Sequence, residues 1–251
     1  MRKERTLAAH AELCRCRARC VPMVTVAPPM LGLIDQANRL VELDVHRRAG
    51  VSASRLRDIA AGAAGQSGLL VVHPQLVPAS YLAPLIRHSD KPGFVVADMN
   101  DVDEFKPVVE LPDSPVYLLE DVDRGDHYAN WSPNEVDRDL TAVGRTPLTL
   151  TEGLTWLLQQ PAALQRNHCF MTIGSRKRKP GGALDTRTPA IWISNGTGRD
   201  GAANRNAPKI GWCWAGNRHT WLGFASSSGR RPLESDMAWP APTSEALPLV
   251  N

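Results

Sequence analysis

Three tryptophans, Trp212, Trp214 and Trp221, fall within ten positions of one another in residues 207–227 (APKIGWCWAGNRHTWLGFASS). Indoles that close together have two physical outlets: they fill a core with their N–H groups satisfied, or they line a pocket. The β-rich runs 209–214 and 219–225 flank a short Ala-Gly-Asn-Arg segment, which predicts a hairpin with a four- or five-residue loop. Side chains alternate along a strand, so Ile210, Trp212 and Trp214 share one face, and Lys209, Gly211 and Cys213 the other. On the second run His219, Trp221, Gly223 and Ala225 face one way; Thr220, Leu222 and Phe224 face the other. Gly211 and Gly223 predict either a bulge or the close approach of another group.

This tryptophan-rich hairpin is expected to form a pocket wall. His219, the only histidine in it, is the natural general acid or base, because imidazole titrates near neutral pH. Cys213 and Cys169 are candidate nucleophiles, and Ser175, Ser194 and Ser226 supply hydroxyls. Whether Cys213 faces His219 depends on register, and the competing reading makes the cysteines small apolar packing groups. Trp214 and Trp221, with Asn217, suit stacking on a small polar or aromatic molecule, whereas Trp212 reads as core.

Upstream, residues 31–43 and 52–61 have helical apolar spacing, with Ser52 or Ser54 as cap of the second. From Gly68 the pattern changes to short apolar runs. Strands are expected over 69–73, 93–98 and 115–119 and a helix over 78–87, giving a parallel or mixed sheet covered on both faces. In that arrangement Asp98, Asp101 and Asp103 would meet Asp121, Asp123 and Asp126 at one sheet edge. Within DVDRGD (121–126), Asp123 is a candidate catalytic carboxylate and Arg124 a candidate anion contact. The alternative has the aspartates shaping a turn and Arg124 pairing with one of them.

NWSPNE (130–135) predicts a helix start, with Ser132 as cap, Pro133 first and Glu135 closing a capping box. TLTE (149–152) repeats that grammar before the apolar run 153–159, stopped by Pro161, which makes Glu152 a capping carboxylate. Arg145, in the turn before it, is a further candidate anion contact. Strands at 169–175, 190–194, 209–214 and 219–225 suggest an antiparallel meander, and Arg176–Lys179 reads as a solvated loop. The fold class is therefore α+β: N-terminal helices and a mixed αβ sheet packed with a C-terminal meander. Residues 1–30 read as a basic extension and linker, 31–231 as a single domain, and 232–251 as an irregular proline-rich tail.

LLEDVDRGD (118–126), NWSPNE, GRTPLTLTEG (144–153), CFMTIGSR (169–176), PAIWIS (189–194) and the tryptophan stretch together resemble an uncharacterised family of actinobacterial proteins, a domain of unknown function. The resemblance spans about residues 31–231 and implies no particular activity. The basic N-terminal extension and the long insert 177–188 depart from the family pattern.

Composition narrows the function classes. The formal charge of +3 over 251 residues neither demands nor excludes a nucleic-acid partner. No run approaches the roughly 18 consecutive apolar residues of a membrane span, and the start of the chain lacks the apolar stretch of a secretory signal. Five irregularly spaced cysteines suit a reducing cytoplasm. Cys14, Cys16 and Cys20 lack the spacing of a zinc site, so no metal site is expected. Neither GxGxxG, GxxxxGK[ST] nor HExxH occurs, so the sequence offers no nucleotide-cofactor motif and leaves the cofactor unknown. Residues 45–61 scan like the turn and recognition helix of a DNA-binding helix-turn-helix, but no dimerisation element or basic domain accompanies them. The expectation is a cytoplasmic small-molecule-binding protein, an enzyme of specialised metabolism if His219 works as acid/base. The alternative is a non-catalytic regulatory or DNA-binding protein using residues 45–61.

Overall fold

At the centre of the fold is Leu150–Gln159, a helix whose ten residues are all buried. The computed structural model describes residues 29–233 and residue 239. The central helix starts as its sequence predicts. Thr149 Oγ1 accepts from the Glu152 N–H, and Glu152 Oε2 accepts in return from the Thr149 N–H (2.7 Å). Being buried on all sides, the helix has neighbours on all sides. Gly153 supplies the closest approach, since a Cβ there would lie 2.6 Å from Thr172 Cγ2 and 3.2 Å from the Phe170 ring.

Phe170 and Thr172 belong to or adjoin a five-stranded mixed sheet. Its order is Leu222–Phe224, Cys169–Met171, Arg187–Ile193, Pro208–Trp214, Phe94–Val95. Three of the four strands expected in an antiparallel meander form one at the middle of the sheet; the fourth, Leu222–Phe224, runs parallel to its neighbour, as does the other edge strand. Elsewhere the helix packs on Leu69–Val72 of a three-stranded sheet. There Val116–Glu120 lies between Leu69–Val72 and Gly229–Pro232, antiparallel to both. The fold is α+β.

Helices Leu33–Glu42 and Ala53–Gly62 pack on each other, and the first also touches the central helix. The buried Gln36 ties them to the small sheet: its Nε2 donates to Gly68 O (2.9 Å) and its Oε1 accepts from Leu70 N–H (2.8 Å). Between them Val45–Arg48 is a single helical turn, and Ser52 caps the second helix by accepting from Arg55 N–H. Helix Pro133–Ala142 carries the second predicted capping box, from Ser132 and Glu135.

Three expectations are corrected. The runs 209–214 and 219–225 do not form a hairpin. Pro208–Trp214 pairs with Arg187–Ile193 and Phe94–Val95, while Leu222–Phe224 pairs with Cys169–Met171, two strands away. His219 and Trp221 precede that strand, in a loop. The strands around residues 94 and 116 belong to different sheets, so the two aspartate groups are not gathered at one parallel edge. Nor is residues 176–179 simply a solvated loop: Lys177 Nζ pairs with Asp101 (2.7 Å) and Glu104 (2.8 Å).

Both glycines singled out in the tryptophan stretch do permit close approach. A Cβ on Gly211 would sit 2.6 Å from the Trp192 ring, and one on Gly223 would collide with the backbone carbonyl of Arg124.

Candidate functional site

The start of the central helix opens onto a cleft of about 690 Å³. Three segments wall it. His73 follows the Leu69–Val72 strand, held by its N–H donating to Pro115 O (2.9 Å). Phe105 to Pro107 crosses opposite, where Pro107 pairs with Ser175 in a short antiparallel bridge. Trp239 closes a third side, its ring 4.8 Å from His73 and its Nε1–H donating to Asp113 Oδ1 (2.8 Å).

Gly174 brings Ser175 onto the helix start. Its N–H donates to Leu148 O (2.9 Å), and a Cβ there would lie 2.6 Å from Pro147 O, so only glycine fits. Ser175 Oγ then accepts from Leu150 N–H (2.9 Å), a second cap beside Thr149.

Three side chains on the cleft lining are at least nine-tenths buried and retain unused donors. Gln75 N–H donates to His73 Nδ1 (3.2 Å), so the neutral imidazole carries its proton on Nε2. Burial lowers the His73 pKa below its ordinary value against the opposing pull of Glu152 and Asp113, which keeps the ring neutral at pH 7. The Thr151 hydroxyl and the Ser175 proton likewise have no partner among the described residues. Exposures are 5% for His73, 6% for Thr151 and 2% for Ser175. All three residues line the cleft, so their unused donors converge where a ligand or ordered solvent can accept from them. Phe105, Leu111, Trp239 and several prolines supply apolar walls, with Lys106, Asp103 and Asp113 among the polar lining groups.

Beneath the cleft lies a buried ionic group absent from the sequence reading. Glu152 Oε1 accepts from Tyr117 Oη–H (2.7 Å), and both its oxygens accept from Arg230 (2.7 and 2.8 Å). Glu152 is thus the capping carboxylate expected, and also the anchor of a buried ion pair.

Of the nine predicted site residues only Ser175 lines the cleft. Arg124 is fully engaged: its guanidinium pairs with Asp126 (2.8 and 2.6 Å) and donates to Ala163 O (3.0 Å). Asp123 accepts from Gly125 N–H (2.5 Å) and forms a backbone bridge with Ser226. The turn-forming alternative for DVDRGD therefore describes its contacts. Arg145 donates to Asp121 (2.6 Å) and to Ser226 Oγ (2.9 Å).

The tryptophan stretch divides. Trp214 is 46% exposed and stacks edge-on against Trp212 (4.6 Å); Asn217 is exposed in the following loop. Trp221, 36% exposed, meets His219 (5.4 Å) and Trp192 (6.3 Å). Burial lowers the His219 pKa, and its Nε2 is buried with no partner among the described residues. Cys213 and Cys169 are free thiols, each pushed up to about 11 by burial, so neither is a thiolate at neutral pH. Cys14, Cys16 and Cys20 lie outside the described residues.

His73 and Thr151 were missed because one ends an apolar strand and the other sits inside a capping motif, where the cap explains the pattern. The signal available was indirect: the capping box places Thr151 in the first turn of a fully buried helix.

The family model of a family of unknown function, DUF5701, matches residues 39–233. The chain belongs to the DUF5701 family. The matched segment contains every cleft residue named above except Trp239. No curated protein matches the chain, and no solved structure does.

Proposed function

We propose that this DUF5701 protein binds a small molecule in the cleft formed by His73, Phe105, Thr151, Ser175 and Trp239. One observation carries the reading: three nearly buried side chains, each with a donor that has no partner among the described residues, converge on one concave surface whose other walls combine Phe105, Leu111, Trp239 and prolines with a few polar groups. A ligand with a hydrogen-bond acceptor at one end and an apolar body satisfies both. Among the described residues no helix is long and apolar enough to cross a membrane, and the cysteine usage supports a reducing, cytoplasmic setting.

A thermal-shift and fluorescence screen against a metabolite panel tests the reading, with Trp239→Phe to assign the signal. Hits whose quenching disappears in Trp239→Phe place the ligand in the cleft. Hits indifferent to Trp239, Thr151→Val and Ser175→Ala alike would overturn it.

A second reading is favoured by the Nε2 of His219, buried beside Trp221 with no partner among the described residues. Here His219 acts as acid or base on a ligand stacked against Trp221. Turnover or binding lost in His219→Ala but kept in Thr151→Val would favour it over the cleft. The nucleic-acid alternative rests on residues 45–61, and a chain that passes heparin unretained at low salt would exclude it.

A further inference from the structure

The first turn of the central helix distributes its amides unevenly. Leu150 N–H donates to Ser175 Oγ and Glu152 N–H to Thr149 Oγ1. The amide between them, that of Thr151, has no acceptor among the described residues, and neither does the hydroxyl of the same residue. Ser175 Oγ already accepts, so its proton is left to donate outward, and His73 offers Nε2–H. Thr151, Ser175 and His73 all line the cleft. A helix start with open amides carries about half a positive charge, which adds to the pull of these neutral donors.

We infer that the cleft takes a monocarboxylate with an apolar body, its carboxylate seated on Thr151, Ser175 and His73 at the start of Leu150–Gln159. This rests on the reading of the cleft as a ligand site and names the class of ligand.

Charge decides between acid types. Among the described residues no arginine lines the cleft, and the one lysine there, Lys106, is matched by two acids, Asp103 and Asp113. Asp103 is held by Ser80, which donates to it from both its amide and its hydroxyl; Asp113 is held by Trp239. A phosphate dianion, which usually recruits guanidinium or several lysines, would find no such clamp. One negative charge matches a helix terminus and three neutral donors. The nearest buried carboxylate, Glu152, does not repel it unopposed, because Arg230 pairs with both of its oxygens. Phe105, Leu111, Trp239 and the prolines then cover an alkyl or aryl chain.

Calorimetric titration of the full chain with octanoate, octanamide and octyl phosphate tests this. The expected result is octanoate binding at least about tenfold tighter than octanamide, since hydrogen bonds to an ionised acceptor are roughly twice as strong as neutral ones. Octyl phosphate is expected to bind no tighter than octanoate. Thr151→Val and Ser175→Ala should each weaken octanoate by about tenfold, and Thr151→Ser should restore most of the loss. Octanamide or octyl phosphate binding as tightly as octanoate would overturn the carboxylate inference while leaving the cleft a ligand site. Binding of none of the three would overturn the cleft reading as well, and so would octanoate binding untouched by either variant. The comparison of the three probes on the unaltered chain stands even if a variant fails to fold.

Discussion

Arg230 Nε lies 2.7 Å from Glu152 Oε1, joining the last strand of the small sheet to the first turn of the central helix, with the carboxylate fully buried. The arginine side chain is itself only 5% exposed, and it also donates to Thr146 Oγ1 (2.6 Å) and Pro147 O (2.9 Å). One residue thus fixes both the helix start and the strap leading into it, the platform on which Thr151 and Ser175 sit. Arg230→Met leaves Glu152 buried without its counter-charge, and the expected loss is about 3–5 kcal/mol by urea unfolding. Tyr117→Phe removes one hydrogen bond to the same carboxylate and should cost about 1–3 kcal/mol.

Gly153 sets two effects against each other. Alanine is favoured over glycine inside a helix by about 1 kcal/mol, yet a Cβ here would sit 2.6 Å from Thr172 Cγ2 in the five-stranded sheet. Overpacking of a buried contact costs about 1–3 kcal/mol, so packing wins. Gly153→Ala is expected to lower the melting temperature, whereas Gly62→Ala, with nothing within 4 Å of the added methyl, should not.

Acid stability has a defined source. Hydrogen bonds from Arg187 and Lys177 lower the Asp101 pKa to about 2. A carboxylate depressed in the folded state stabilises the fold above its unfolded pKa, near 4, and loses that contribution as pH falls toward 2. Asp101→Asn should therefore be less stable than the unaltered chain at pH 7, with the gap closing between pH 4 and 2. Melting curves across that window check it; a pH-independent gap would contradict it.

Cys169, buried, and Cys213, half-buried, should be inert. With both thiols pushed up to about 11 by burial, iodoacetamide at pH 7.5 is expected to leave Cys169 and Cys213 unmodified in the native chain. Peptide mapping should find them labelled only after denaturation.

Local grammar was legible and partnership was not. Both capping boxes, at Ser132 and Thr149, stand where the sequence puts them, because a cap is written in four consecutive residues. Of the four-strand meander expected from short strands joined by polar loops, three strands stand in that arrangement. The tryptophan hairpin failed because alternation fixes which residues share a face but not which strand lies alongside. Pro208–Trp214 found its partner across the 194–207 loop, and Leu222–Phe224 was drawn two strands away beside Cys169–Met171. The Arg230–Glu152 pair spans 78 positions, and nothing near either residue announces the other. The cleft was hidden for the same reason, since its walls come from segments around residues 73, 105, 151, 175 and 239.

The most direct test of the cleft follows the histidine side chains. In 15N-histidine-labelled protein at pH 7, His73 is expected as the neutral Nε2–H form, and its resonances should move on addition of octanoate while those of His219 stay in place. Movement of His219 with His73 unchanged would contradict the account and transfer the site to the Trp221 face.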